Sequence, residues 1–388
     1  MHKTAIVVGA GIAGLATARA LAARKYEVKV IERGQRATGA SVRNFGMIWP
    51  IGQPDGKLYE RALLSRDIWK QICREAGIWH DEVGSLHMAY NKYEWDVLCE
   101  LAEVFTHRRY QLISSAMVAE KFPVVVNQNL LGALHSIQEI IVDPREAVKK
   151  IPAWLEEKYG VEFLWGRAVT EINYPSVFIG DEEMQADEIY VCSGADFETL
   201  YPTVYSTLPV TRCKLQMMRM AAQPNKQRIG PALCGGLSLA HYKSFAAAAS
   251  LGALREHFAK EYPEYLKWGI HVMVSQNAVG ELTVGDSHEY GLTHDPFDKH
   301  FINQMILDYL KKFARFADET IIETWNGIYP KLTNGEPDLV MQPEEGVTII
   351  NCLGGAGMTL SFGLSEEIIG GSAYQDRPAR FMSQRGRE

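Results

Sequence analysis

The chain has no run approaching the roughly 20 consecutive apolar residues that a membrane-spanning helix needs. No Cys-x-x-Cys pair occurs among its six cysteines, Cys73, Cys99, Cys192, Cys213, Cys234 and Cys352. Most of them lie within apolar runs, so buried free thiols in a reducing compartment are expected. A disulfide framework, a zinc site or any other metal site is not. Basic charge is not in excess. Lys and Arg number 40 against 47 Asp and Glu, a net charge of −7. That balance argues against a general nucleic-acid or membrane-surface role and says nothing about local basic pockets. Internal repeats and low-complexity linkers are absent. The early apolar stretch is followed by Arg19, Arg24 and Lys25 and is accounted for by a nucleotide fold rather than a secretion signal. The cytoplasm is the expected location.

What is present is a nucleotide-binding device. Ala5-Ile6-Val7-Val8 reads as a buried parallel strand and runs into Gly9-Ala10-Gly11-Ile12-Ala13-Gly14. A helix follows with Ile12, Leu15, Ala18 and Leu21-Ala22 on one face. A second strand, Val28-Lys29-Val30-Ile31, ends at Glu32, 18 residues past Gly14 and just before Arg33. Gly9 allows a tight turn, Gly11 lets a pyrophosphate approach the backbone, and Gly14 lets the helix pack on the strand. The helix start at Ile12 and Ala13 offers unpaired N–H groups to phosphate. Glu32 can accept ribose hydroxyls and repels a 2′-phosphate. A bare GxGxxG is weak, but here strand, helix, second strand and terminal acid are in register. The alternative is a glycine-rich turn of some other α/β protein. The motif leaves FAD and NAD both open.

The 388 residues suit about two domains. Periodicity predicts helices over 56–77, 94–106, 147–159, 251–262 and 301–316, and strands over 85–90, 161–164, 168–172 and 188–192. From 210 to 286 longer strands (215–221, 271–275 and 281–285) suggest a mostly antiparallel sheet. Val347 to Cys352 then reads as a strand entering Gly354-Gly355-Ala356-Gly357, with a helix from Met358. A nucleotide domain resumed after a β-rich excursion implies interleaving. The expected fold class is α/β, with a Rossmann-like FAD-binding domain (1–84, 141–209 and 322–388) interleaved with a mostly antiparallel α+β substrate domain (85–140 and 210–321).

The chain resembles the FAD-dependent amine and amino-acid oxidoreductases related to D-amino-acid oxidase, glycine oxidase and sarcosine oxidase. Four landmarks carry the resemblance across nearly the whole chain. They are the first glycine motif with Glu32; Gly39-Ala40-Ser41-Val42-Arg43-Asn44-Phe45-Gly46; Val191-Cys192-Ser193-Gly194-Ala195; and Gly354-Gly355-Ala356-Gly357-Met358-Thr359-Leu360-Ser361. The resemblance implies non-covalent FAD held by Gly9, Gly11, Ile12, Ala13, Gly14, Glu32, Arg33, Ser41, Arg43, Asn44, Phe45, Gly46, Ser193 and Gly194. It adds adenine contacts near Ala168 and Val169, and a final loop of Gly354, Gly355, Gly357, Met358 and Thr359. A helix start aimed at the flavin would stabilise the charge that reduction places there. Covalent attachment through Cys352 is not expected, because that thiol sits in an apolar strand.

Candidates for the substrate side are Arg43, Asn44, Trp49, Lys214, His241, Tyr242, His288 and Tyr329. Arg43 lies in a flavin loop, with a salt bridge away from the substrate as the alternative. Lys214 interrupts an apolar strand, and an outward-facing position would account for it equally. His241 and His288 taken singly read as satisfied structural histidines, and Trp49 and Tyr329 as core aromatics. Ser238 is placed where several oxidases carry an oxygen-activating lysine. The electron acceptor is therefore open between O2 and a quinone or carrier. Arg43 to Gln53 is similar to a branch of flavoproteins associated with aminophosphonate breakdown.

The reading is an FAD-dependent oxidoreductase acting on CH–NH or CH–NH2 donors. Its donor is a small anionic primary or N-methyl amine, an aminoethylphosphonate among the candidates. Hydride transfer to flavin leaves an imine that hydrolyses to an aldehyde or keto acid. The rivals are a D-amino-acid or glycine/sarcosine oxidoreductase, a 2-hydroxy-acid flavoenzyme, an NAD-dependent dehydrogenase and a non-catalytic flavin-bearing subunit.

Overall fold

The computed structural model describes residues 3–371. Its first layer is a six-stranded sheet ordered Leu339–Glu344, Val347–Asn351, Glu188–Val191, Thr4–Val8, Glu27–Glu32, Glu162–Trp165. All neighbours pair in parallel except the first two strands. The apolar runs Ala5–Val8 and Val347–Ile350 follow from that position, because a parallel strand is covered on both faces. One face carries the helices Ile12–Ala22, Lys57–Glu75, Pro144–Tyr159 and Gly357–Ile369, packed over a core that includes Leu15, Trp69, Ile151 and Phe362. The other face carries a three-stranded sheet, 171–185, over Val177, Ile189 and Ile349.

The second layer is a nine-stranded, mainly antiparallel sheet built from 85–89, 111–114, 132–136, 210–220, 232–234, 273–276, 282–285, 289–291 and 321–332. Helices Lys92–Val104, Leu251–Glu261 and His300–Phe313 bury Leu98, Leu254 and Ile306 in its core. Local signals set several helix ends. Asn91 accepts the amide of Glu94, Asp143 accepts those of Arg145 and Glu146, and Gly160 closes its helix at φ +71°.

Two expectations change. Residues 168–170 form no strand, and pairing starts at Glu171 because the chain first crosses the end of the second strand, where Gly166 N donates to Gly34 O and Arg167 N to Glu32 O. The segment 322–332, expected in the FAD-binding domain, belongs to the antiparallel sheet. Ile321–Leu332 pairs with Val210–Met220 along its length, from Val210↔Leu332 to Met220↔Ile321. The part of the expected domain beyond 371 lies outside the described residues.

Candidate active site

The first glycine turn is built as its residue types demand. Gly9 sits at φ +102°, and a Cβ there would lie 2.5 Å from Cys192 O. A Cβ on Gly14 would lie 1.8 Å from Gly9 O, so the helix rests directly on the turn. Glu32 closes the arrangement, accepting Ala10 N and Gly34 N, each at 2.9 Å. Ser41 Oγ accepts Ile12 N at 2.9 Å and satisfies one of the orphan amides of the helix start. Ser41 belongs to a loop stapled by Asn44, whose Nδ2 donates to Ala40 O and Ser41 O and whose Oδ1 accepts Gly46 N.

The second glycine-rich turn comes from the far end of the chain and meets the first. A Cβ on Gly357 would lie 3.8 Å from Ile12 Cγ2, so the two helix starts stand side by side. Trp49 N donates to Thr359 Oγ1 at 2.9 Å, which ties the early loop to the late one.

These loops open onto a cavity of about 450 Å³. One wall carries Ile12, Ser41, Arg43, Asn44, Phe45 and Trp49, and another the turn 354–360. The remainder comes from the antiparallel sheet and its connections: Met217, His241, Tyr242, His271, Asp286, His288, Tyr329 and Lys331. Strand periodicity explains the selection. Leu215 and Met217 point in while Lys214 and Gln216 point away, and Gly327, Tyr329 and Lys331 alternate in the same sense on the paired strand. Tyr329 faces the late glycine turn, since a Cβ on Gly355 would lie 3.5 Å from its hydroxyl.

Three imidazoles meet in this wall. Ring centroids of His241 and His271 are 3.8 Å apart, His241 and His288 4.8 Å, and His271 and His288 5.0 Å. Asp286 lies among them, with Oδ1 3.2 Å from His271 Nε2 and Oδ2 3.9 Å from His288 Nε2. Burial pushes the Asp286 carboxyl well above the usual carboxylate range. It drives His288 down to about 4 and holds His241 and His271 well below 6.5. The open surface of His241 faces the cavity while protein surrounds the ring elsewhere, which is why a side chain with exposed area still behaves as desolvated.

The family described as FAD dependent oxidoreductase (DAO) matches residues 4–369. The chain belongs to that family. Among curated relatives, D-amino acid dehydrogenase of Helicobacter pylori is 25% identical, with the match covering 50% of this chain and 61% of the relative. The chain thus spans less than two thirds of the length of the curated relatives it matches first. Among solved structures, glycine oxidase from Geobacillus kaustophilus superposes with a TM-score of 0.76 at 19% identity, covering 100% of both chains. L-alpha-glycerophosphate oxidase from Mycoplasma pneumoniae, with FAD bound, gives 0.69 at 16% identity over 95% of this chain and 94% of that one.

The residues present fit the family's cofactor. Two glycine-rich turns border one cavity, and the Cβ positions of Gly11, Gly355 and Gly357 face open space or a side chain rather than backbone. Gly9, Ala13, Gly14 and Glu32 do not line the cavity and form the turn behind Ile12. Arg33 pairs with Asp196 at 2.8 Å, Ser193 Oγ donates to Asp196 O, and Gly194 O accepts Asn351 Nδ2. Gly46 is buried behind the early loop, where a Cβ would lie 1.9 Å from Val142 O. Val169 is buried and Ala168 lies beside it, past the end of the Glu32 strand.

Four sequence expectations need correction. Lys214 does not reach the cavity: its ammonium donates to Asp295 O and Phe297 O at 2.7 and 2.6 Å on the opposite side of the sheet. Ser238 is fully buried, donates to Gly235 O and does not line the cavity. Arg43 borders the cavity, but its guanidinium donates to Thr38 O and Asn326 O and joins the early loop to the strand 321–332. The histidines, read singly as structural, form a group. His271, Asp286 and Lys331 were not among the expected site residues. Their only sequence signal is polarity inside strand-like segments, which does not say what they meet.

Proposed function

We propose that this protein uses FAD to oxidise a small anionic amine at the carbon next to nitrogen. The observation that carries the reading is the charge balance of the cavity wall opposite the late glycine turn. It presents the Lys331 ammonium and the hydroxyls of Tyr242 and Tyr329, while Asp286 is held toward its neutral form and does not offset the ammonium. Lys331 is half-buried with its ammonium 5.0 Å from the Tyr290 ring centroid, a placement suited to an anionic group entering from the cavity.

When bound, FAD supplies the hydride acceptor. The residues of this chain bind and orient the donor. Trp49, Tyr242 and Met217 shape an apolar floor, and Lys331 and Tyr329 hold the anionic end. Cys352 follows the strand Val347–Asn351 rather than lying in it and lines the cavity, but burial pushes its thiol up to about 12, away from the thiolate that attachment through it would need. Glu32 would take the ribose hydroxyls, and the helix start beside Gly11 the pyrophosphate. An aminoethylphosphonate is the preferred donor, because a dianion with three acceptor oxygens uses several donors at once. The electron acceptor is O2 or a quinone or carrier.

A D-amino acid or glycine is the second reading, favoured by the names of the relatives above. Anaerobic addition of glycine, sarcosine, D-alanine, 2-aminoethylphosphonate and its N-methyl form tests both readings through bleaching of the visible flavin band. Bleaching by the aminophosphonates alone supports the first, and bleaching by the amino acids alone replaces it with the second. A yellow protein that no amine reduces overturns both.

A further inference from the structure

Neither the cofactor nor an amine donor explains why three imidazoles, His271 and His288 buried and His241 open to the cavity, meet beside a buried carboxyl. One nitrogen from each of His241, His271 and His288 lies within 4.8 Å of the others. We propose that these three histidines bind one divalent transition-metal ion of the zinc type, with Asp286 beside them as a neighbour rather than a ligand and an open coordination position facing the cavity.

The geometry is that of a ligand set. Tetrahedral zinc takes imidazole nitrogen at about 2.0–2.1 Å, which puts neighbouring ligand atoms roughly 3.3 Å apart. Asp286 lies against the set, with Oδ1 3.2 Å from His271 Nε2 and Oδ2 3.9 Å from His288 Nε2. The three nitrogens, within 4.8 Å of one another, close by up to about 1.5 Å to reach that spacing.

Two further observations point to a cation. His288 Nδ1 is 2.9 Å from Gly269 O, so that nitrogen carries the hydrogen and Nε2 presents a lone pair toward Asp286. This is how metal-binding imidazoles are oriented by their outer partners, and an imidazole set this way has no hydrogen to offer an anion. His271 Nδ1 is buried without a hydrogen-bond partner among the described residues, although His271 is only 4% exposed. A polar atom left unpaired at that depth is costly, and a cation is a partner that the three imidazoles can share.

The backbone holds the set in place. His271 N donates to Asp286 O and Asp286 N to His271 O, at 3.2 and 2.9 Å, and His288 N donates to Trp268 O at 2.8 Å. Imidazole-rich sites suit zinc, copper, iron or nickel better than magnesium or calcium. Three protein nitrogens leave a position free, as catalytic rather than structural zinc sites do. The occupant of that position is an oxygen of the anionic donor, a part of the inference that rests on the functional reading above.

The test uses the flavin-loaded protein, stripped with a chelator and titrated with Zn2+ by calorimetry and by competition with a chromophoric chelator. One equivalent per chain is expected. Affinity should fall at least tenfold in His241→Gln and in His288→Gln, with the flavin band and circular dichroism unchanged. Absence of stoichiometric binding, or equal binding in wild type and both variants, overturns the site. Inorganic phosphate that shifts the flavin band of metal-free protein, with the same dependence on His241, also overturns it, because the cluster is then an anion site. Zinc stoichiometry is read without any donor, so a failure of amines to reduce the flavin bears on the functional reading alone.

Discussion

The hydroxyl of Thr359 accepts the backbone amide of Trp49 at 2.9 Å, joining the two flavin-side loops across 310 residues of sequence. Both residues are buried, Thr359 at 2% exposure, so nothing else can take that amide's hydrogen without rearrangement. Thr359→Val keeps the shape and removes the acceptor. An unpaired buried amide costs about 1–3 kcal/mol. The variant should melt several degrees lower and release FAD more readily, and Thr359→Ser should restore both. Thermal melts with and without added FAD read the difference. Unchanged melting and cofactor release in Thr359→Val would show that the bond is dispensable.

Gly14 and Gly39 make a matched pair for the cofactor turn. A Cβ on Gly14 meets Gly9 O at 1.8 Å, whereas one on Gly39 meets nothing within 4 Å. Gly14→Ala should yield insoluble or colourless protein, and Gly39→Ala yellow protein with normal flavin content. Absorbance at the flavin band per mole of soluble chain decides it. Normal flavin in Gly14→Ala would remove the first turn from the cofactor site.

Arg43 and Lys331 both border the cavity, yet their expected roles differ. Arg43 is engaged with two backbone carbonyls, so Arg43→Ala should lower stability and cofactor retention together. Lys331→Met should leave melting nearly unchanged and raise KM for an anionic donor about tenfold, with a smaller change in kcat. A KM increase confined to Arg43→Ala would exchange the two assignments.

His87 provides a pH prediction. It is fully buried beside Trp49 and Phe245, neither ring nitrogen has a hydrogen-bond partner, and burial lowers its pKa from 6.5 to about 3. The unfolded chain therefore binds the proton more readily between those values. Stability present above pH 6.5 is lost as pH falls toward 3, at about 1.4 kcal/mol per unit. His87→Leu should remove this part of the acid limb, a relative gain of about 3 kcal/mol at pH 4.5 against neutral pH. Urea melts at the two pH values measure it, and parallel losses in wild type and variant would show that His87 is not the group responsible.

Much of the cofactor half was legible in the chain because its signals are local. Glycine at 9 and 14 is required by a turn and a close contact within a few residues. The helix starting at Lys92 is announced by Asn91, and the one ending at Tyr159 by Gly160. The strand Ile321–Leu332 was not legible. Its pattern mixes Glu323, Trp325, Asn326 and Pro330, and it is a strand because Val210–Met220 pairs with it. Lys214 misled for the same reason, since alternation along a strand says that 214 and 215 face opposite ways but not which way the cavity lies.

The sequence by itself determined a dinucleotide turn, a second glycine-rich turn and an interleaved α/β architecture, because hydrophobic period and glycine stereochemistry act over a few residues at a time. Only the tertiary structure decided the substrate wall. His241, His271, Asp286, His288, Tyr329 and Lys331 come from separate strands and connections, and sheet register and strand facing alone bring them to one cavity. Contacts between residues distant in sequence depend on how whole elements pack, and no local pattern encodes that.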